Sequence, residues 1–232
     1  MQAVILAAGR GSRMGSATEE TPKPMLELNG KTLLEYKFDA MPESVDEVAL
    51  IIGWMGDKIQ AKFGDTFKGK RIRYVVQEEL NGTMGALKCA KGVLSGTFLV
   101  MMGDDIYARE DADKCLRNTD GWSLVVEKTD GTRAGGAVQI DSQGRILSIT
   151  EGAHAGLRYA GTNLFVLDTR IFDFPKVPKA EGSPEFGLPQ TVVAAATSLK
   201  IPLYAVEASR WIQITDAGDL ERAAEILEKT SI

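Results

Sequence analysis

A chain of 232 residues, 44% hydrophobic and 25% charged, has the composition of an ordinary globular protein, enough for one large α/β domain or a domain with a small lid. A formal net charge of −5 and a pI near 5.1 argue against a nucleic-acid surface. No apolar run approaches the roughly 18 residues needed to span a bilayer.

The first predicted element, residues 3–8, is a short apolar run ending at Gly9, as a buried strand should. It lacks the length and the preceding positive charge of a signal peptide, so a cytoplasmic protein is expected. Residues 31–40 predict a helix, 47–52 a strand, 58–63 a short helix and 72–77 a strand. Residues 83–94 follow as a helix and 97–102 as an apolar strand. Strands separated by helices imply parallel βαβ units with helices on both faces, and ligands then bind at the carboxyl ends of the strands. After Asp120 the pattern turns β-rich, with strands at 123–127, 136–140, 146–150 and 162–167. Helices at 188–197 and 217–229 close the chain, the second capped near Thr215 and Asp216. The expected fold is α/β: a Rossmann-like mixed, mostly parallel sheet with a β-rich insertion over its open end. No repeat or linker divides it, so residues 1–232 read as a single unit, 1–120 forming one half and 121–232 the other. Cys89 and Cys115 fall in helix-like sequence and predict reduced, buried thiols.

The loop after the first strand carries Gly9, Arg10, Gly11, Ser12, Arg13 and Met14, and Thr21-Pro22-Lys23-Pro24 follows. Gly9 and Gly11 permit positive φ and let backbone N–H groups approach phosphate oxygens. Arg10, Arg13 and Lys23 add fixed positive charge, which makes a polyphosphate grip. Met14 stands where a dinucleotide fingerprint needs glycine, and Met25 where a Walker loop needs one. Gly30-Lys31-Thr32 is read as a turn into a helix. Asp104 follows the 97–102 strand directly, well placed to hold Mg²⁺ on a phosphate, with an Asp-rich turn as the plain alternative. Gln77 can pair with the edge of a pyrimidine, Gly82 lets the base lie close to backbone, and Thr83 is read as a helix N-cap. Trp54-Met55 is read as core or a dimer contact, and His154 has no partners for a metal set.

The run Leu6-Ala-Ala-Gly-Arg-Gly-Ser-Arg13-Met14 with Pro22-Lys23-Pro24 resembles the signature of nucleotidyltransferases that join a nucleoside triphosphate to a sugar phosphate. The resemblance implies that Leu6, Ala8, Gly9, Gly11, Arg13, Lys23, Gln77, Gly82 and Thr83 bind the nucleotide. It implies catalytic roles for Arg13, Lys23 and Asp104, Mg²⁺ on Asp104, and an acceptor site at Gly136, Glu151 and Thr162. Asp105 is expected to orient Asp104 or touch the ribose. The partners implied are an NTP (UTP, CTP or dTTP) and a small phosphorylated acceptor, with no nucleic acid or membrane and with a homodimer left open.

The match departs from the family pattern in several places. Gly152-Ala153 replace a Lys-Pro that holds the acceptor phosphate, leaving Arg133 or Arg158 as the substitute cation. Asn163 replaces a glycine, and Gln213 stands at the second metal carboxylate, which Asp216 replaces only if the loop shifts. Asp216 and Asp219 otherwise read as partners of a helix dipole. These departures keep two alternatives: a cytidylyltransferase for a non-sugar phosphate such as phosphocholine, inositol phosphate or a phosphonate, and a non-catalytic nucleotide-binding subunit. Since the sequence stops after the last helix, no acyltransferase or repeat domain is expected.

Overall fold

A computed structural model describes residues 1–129, 136–151 and 158–230. Its centre is the Gln2–Leu6 strand, which pairs in parallel with Glu47–Ile52 on one side and Thr97–Met102 on the other. Lys70–Val76 adds a further parallel strand outside Glu47–Ile52. Alternate side chains serve opposite faces of a pleated strand. Val4, Leu6 and Ala8 accordingly pack with Leu87, Val192 and Ala195 of the helices Thr83–Cys89 and Leu188–Leu199. Ala3, Ile5 and Ala7 pack with Phe38, Ile59 and Ala112 of the helices Leu33–Ala40, Gly56–Phe63 and Arg109–Cys115. Burial on both faces is why these strands read as continuous apolar runs.

The β-rich second half is continuous with this sheet and is no separate cover over it. Tyr159–Asp168 runs antiparallel to Thr97–Met102 and, on its other side, to Trp122–Lys128. Leu203–Glu207 pairs in parallel with Trp122–Lys128, and the hairpin of Ala137–Ile140 and Ile146–Thr150 joins through Ala137 and Ala160. Among the described residues these strands, with the short Thr66–Phe67, make one ten-stranded sheet. The last helix, Ala217–Thr230, lays Ala223 and Leu227 against Met14, Leu33, Ile106 and Ile212.

Several boundaries moved for local reasons. Lys31–Thr32 pairs with Glu27–Leu28, so the helix starts at Leu33 behind a capping box of Thr32 and Glu35. The helix from Thr83 ends at Cys89 and tightens into a 3₁₀ turn at Ala90–Gly92. Cys115 is buried, but Cys89 lies at the surface, where that helix ends.

Candidate active site

The carboxyl ends of three parallel strands converge on a cleft of about 730 Å³. Backbone bonds tie the loops leaving these strands together: Gly103 N–H donates to Leu6 O at 2.9 Å and Trp54 N–H to Ala8 O at 3.1 Å. Leu6, Ala8, Gly9, Arg10, Gly11 and Arg13 border the cleft on this side. Gly11 has φ +65°, and a Cβ there would fall 2.8 Å from Lys23 Cβ, so glycine is needed for both conformation and space. The Arg10 guanidinium stacks on the Trp54 ring at 4.6 Å, which makes Trp54 a platform for the loop. The expectation of a core role for Trp54 gives way to this stacking, since the ring is only partly buried.

Lys23 and Asp104 meet on the floor of the cleft. Lys23 Nζ donates to Asp104 Oδ2 at 2.7 Å and to the Ile214 carbonyl, and its side chain is one-tenth exposed. The other Asp104 oxygen makes no hydrogen bond among the described residues. Gln213 and Thr215 line the cleft beside it, while Asp216 does not. Asp216 Oδ1 instead accepts from Asp219 N–H, and Asp219 Oδ2 accepts from the N–H groups of Thr215 and Asp216. No cluster of three His, Cys, Asp or Glu occurs among the described residues. A carboxylate with one oxygen left without a hydrogen bond suits Mg²⁺, which takes few protein ligands and fills its shell with water and substrate phosphate.

Asp105 does not reach the cleft. It is buried and accepts from Trp211 Nε1 at 3.0 Å and Ile214 N–H at 3.2 Å, fixing the segment that carries Gln213. Burial, reinforced by the Asp104 charge, pushes its carboxyl upward, opposed by Lys37. Lys37 went unnoticed in the sequence. Its Nζ is buried with no hydrogen-bond partner and sits 5.5 Å from the Tyr107 ring centroid. Burial pushes the amine down, and the charges of Asp105 and Asp104 oppose this. The available signal was phase: Leu33, Leu34, Lys37 and Phe38 share the buried face of one helix.

At the end of Lys70–Val76, Gln77 is buried, its Nε2 donating to Gly82 O at 3.3 Å. Gly82 has φ +99°, and a Cβ there would lie 2.4 Å from Phe186 O. Thr83 is not an N-cap of its own helix. Its hydroxyl accepts from Leu188 N–H at 2.9 Å, because glycine at 187 leaves that second helix without a capping side chain. Gln77, Gly82 and Thr83 all line the cleft.

On the opposite side the structure brings in Gly136, Glu151 and Asn163. Thr162 is corrected: it is fully buried, its hydroxyl donating to Val125 O at 2.8 Å, and strand alternation turns its neighbour to the cleft instead. Glu151 Oε1 accepts from Gln190 Nε2 at 3.0 Å. Arg158 is exposed and does not line the cleft, whereas Lys179 does. Arg133, Gly152, Ala153 and His154 lie outside the described residues.

A glycine loop with two arginines, a lysine–carboxylate pair at strand ends and a polar far wall thus meet in one cleft at the open end of an α/β sheet. A family model described as nucleotidyl transferase matches residues 2–229. The chain belongs to that nucleotidyl transferase family. It is 33% identical over 151 residues to the bifunctional protein GlmU of Methanococcus maripaludis, covering 65% of this chain and 35% of that relative's length. It is 29% identical over 174 residues to the D-glycero-alpha-D-manno-heptose 1-phosphate guanylyltransferase of Campylobacter jejuni, covering 75% of this chain and 78% of the relative. The solved structure of the inositol-1-phosphate CTP transferase from T. maritima superposes with a TM-score of 0.77 at 21% identity, over 98% of this chain and 95% of the other.

Proposed function

We propose that this protein is a Mg²⁺-dependent sugar-phosphate nucleotidyltransferase, joining an NTP to a sugar 1-phosphate with release of pyrophosphate to give an NDP-sugar. The observation that carries the reading is the Lys23–Asp104 pair, 2.7 Å apart where the nucleotide loop and the acceptor wall meet. The reaction needs no protein nucleophile, since the acceptor phosphate is already an anion. Its oxygen attacks the α-phosphorus in line as the bond to the β-phosphate oxygen breaks, and pyrophosphate leaves with that electron pair. Catalysis is then positioning and charge neutralisation. Arg13 and Lys23 face the triphosphate, Gln77 and Gly82 receive the base, and Glu151 with Gly136 faces the acceptor. Asp104, with Gln213 lining the same cleft, would hold Mg²⁺, which when bound supplies further neutralisation of phosphate charge. Residues 1–120 thus serve the nucleotide and 121–232 the acceptor, in a protein we place in the cytoplasm. Among the described residues no helix is long and apolar enough to cross a membrane.

The test is pyrophosphate release with Mg²⁺ across ATP, GTP, CTP, UTP and dTTP. The acceptors are several hexose 1-phosphates, inositol phosphate, phosphocholine and aminoethylphosphonate. Release with one NTP and a hexose 1-phosphate is expected. Release only with CTP and a non-sugar acceptor would replace the sugar reading. Nucleotide binding without release from any pair would point to a non-catalytic subunit.

A further inference from the structure

Asn163 has φ +61°. The left-handed region disfavours every residue but glycine, and asparagine tolerates it better than most. The residue sits where the pairing of Tyr159–Asp168 with Trp122–Lys128 shifts register between Gly161 and Phe165. Such bulges re-aim side chains. Three bonds to Thr162 fix the backbone here. Its hydroxyl donates to Val125 O at 2.8 Å and accepts from Leu164 N–H at 3.3 Å, and its carbonyl accepts from the Tyr107 hydroxyl at 3.0 Å. An unfavourable conformation held this firmly at a cleft points to use.

The cleft wall around Asn163 is apolar at Leu124 and Ile149 and bare at Gly136 and Gly161. Glu151 lies on the same wall, oriented by Gln190. The Asn163 amide makes no hydrogen bond among the described residues. An ionised carboxylate only accepts, whereas an amide both donates and accepts, so the two together match a ring bearing adjacent hydroxyls. We propose that Asn163 is a specificity-determining residue that pairs its amide with hydroxyls of a polyhydroxylated phosphate acceptor. This rests on the transferase reading above. A site that hydrogen-bonds a hydroxyl rejects an analogue lacking it, because its own polar groups are then left unpaired.

Asn163→Gly removes the amide and relieves the backbone, and Asn163→Asp keeps the tolerance for positive φ while losing the donor. Calorimetry would measure binding of glucose 1-phosphate, mannose 1-phosphate, myo-inositol 1-phosphate and, as a probe without ring hydroxyls, phosphocholine. For both variants we expect about tenfold weaker binding of the hydroxylated acceptor, roughly the worth of one good hydrogen bond. Nucleotide affinity should stay unchanged, and Asn163→Gly should keep or raise the thermal midpoint. Equal binding by wild type and both variants overturns the proposal. So does a fall in midpoint with parallel loss of nucleotide, or a wild type that takes phosphocholine as well as the hydroxylated probes or binds none of them. Pyrophosphate release, followed in the same samples, fails independently. Its absence from a wild type that binds a hexose 1-phosphate sinks the transfer reading, and the binding ratio still decides Asn163.

Discussion

Lys37 is a lysine amine in the core with no hydrogen bond, close enough to Asp104, which lines the cleft, and to the buried Asp105 to feel both charges. Removing one member of a buried charge pair costs about 3–5 kcal/mol, because the other is left uncompensated. Asp105 has an escape, since it can take up a proton. Its folded pKa already stands above the unfolded value, so the folded state holds the extra proton and stability falls as pH rises through that window. Lys37 limits the window by favouring the carboxylate, and its loss extends the window upward. Lys37→Met should therefore lower stability by about 3 kcal/mol at pH 7.5 and by clearly less at pH 5. Urea unfolding of Mg²⁺-free protein at both pH values checks this, and equal losses would show that the lysine is mere packing. The sequence displayed the pair Asp104-Asp105 and suggested that Asp105 orients Asp104 or touches a ribose, whereas its bonds to Trp211 and Ile214 keep it off the cleft. Asp104 follows directly from its place at a strand end. The role of Asp105 depends on Trp211, distant in sequence, and on Lys37, reached through tertiary packing.

At the scale of elements, the turn at Asn81–Thr83 is held from outside itself. Phe186 N–H donates to Asn81 O at 2.8 Å, Met84 N–H donates to Phe186 O at 3.0 Å, and Thr83 accepts from Leu188 N–H. Gly82 is the residue that lets this crossing happen, since a side chain there would enter the Phe186 backbone. Gly82→Ala should cost about 2–3 kcal/mol from conformation and displacement. At about 2–4 °C per kcal/mol for a chain of this size, the midpoint should fall by roughly 5–10 °C. Nucleotide binding should weaken with it, and an unchanged midpoint would mean the two segments are not mechanically joined. Elements with strong local signals were legible, and Glu47–Ile52, Thr97–Met102 and Ile146–Thr150 lie where their apolar patterns put them. Arg109–Cys115 was legible only as helix-like sequence around Cys115, since charged residues outnumber apolar ones along it, and Leu203–Glu207 was missed. Thr162 was named for the acceptor site by family likeness, and Asn163 only as a departure from the family's glycine. Strand alternation allows only one of two neighbours to face the cleft.

For the whole molecule, the shared sheet decides how the two halves behave. Tyr159–Asp168 is bonded to Thr97–Met102 from the first half and Trp122–Lys128 from the second. One apolar cluster likewise contains Val4, Ile51 and Phe98 together with Trp122, Phe165 and Val192. A half that unfolded alone would strip a strand edge and open that cluster, so the free energy of parting is of the same order as that of unfolding. Calorimetric melting should accordingly show one transition. The cleft lies along the same seam, with Gly9 and Asp104 on one side and Gly136 and Glu151 on the other. Nucleotide bound there at about 100 times its Kd adds about 2.7 kcal/mol to the folded state. The whole transition should then move up by roughly 5–10 °C. Two transitions, with nucleotide raising only one, would show that residues 1–120 fold and bind without residues 121–232. The sheet would then be a docking surface between two units instead of the spine of one.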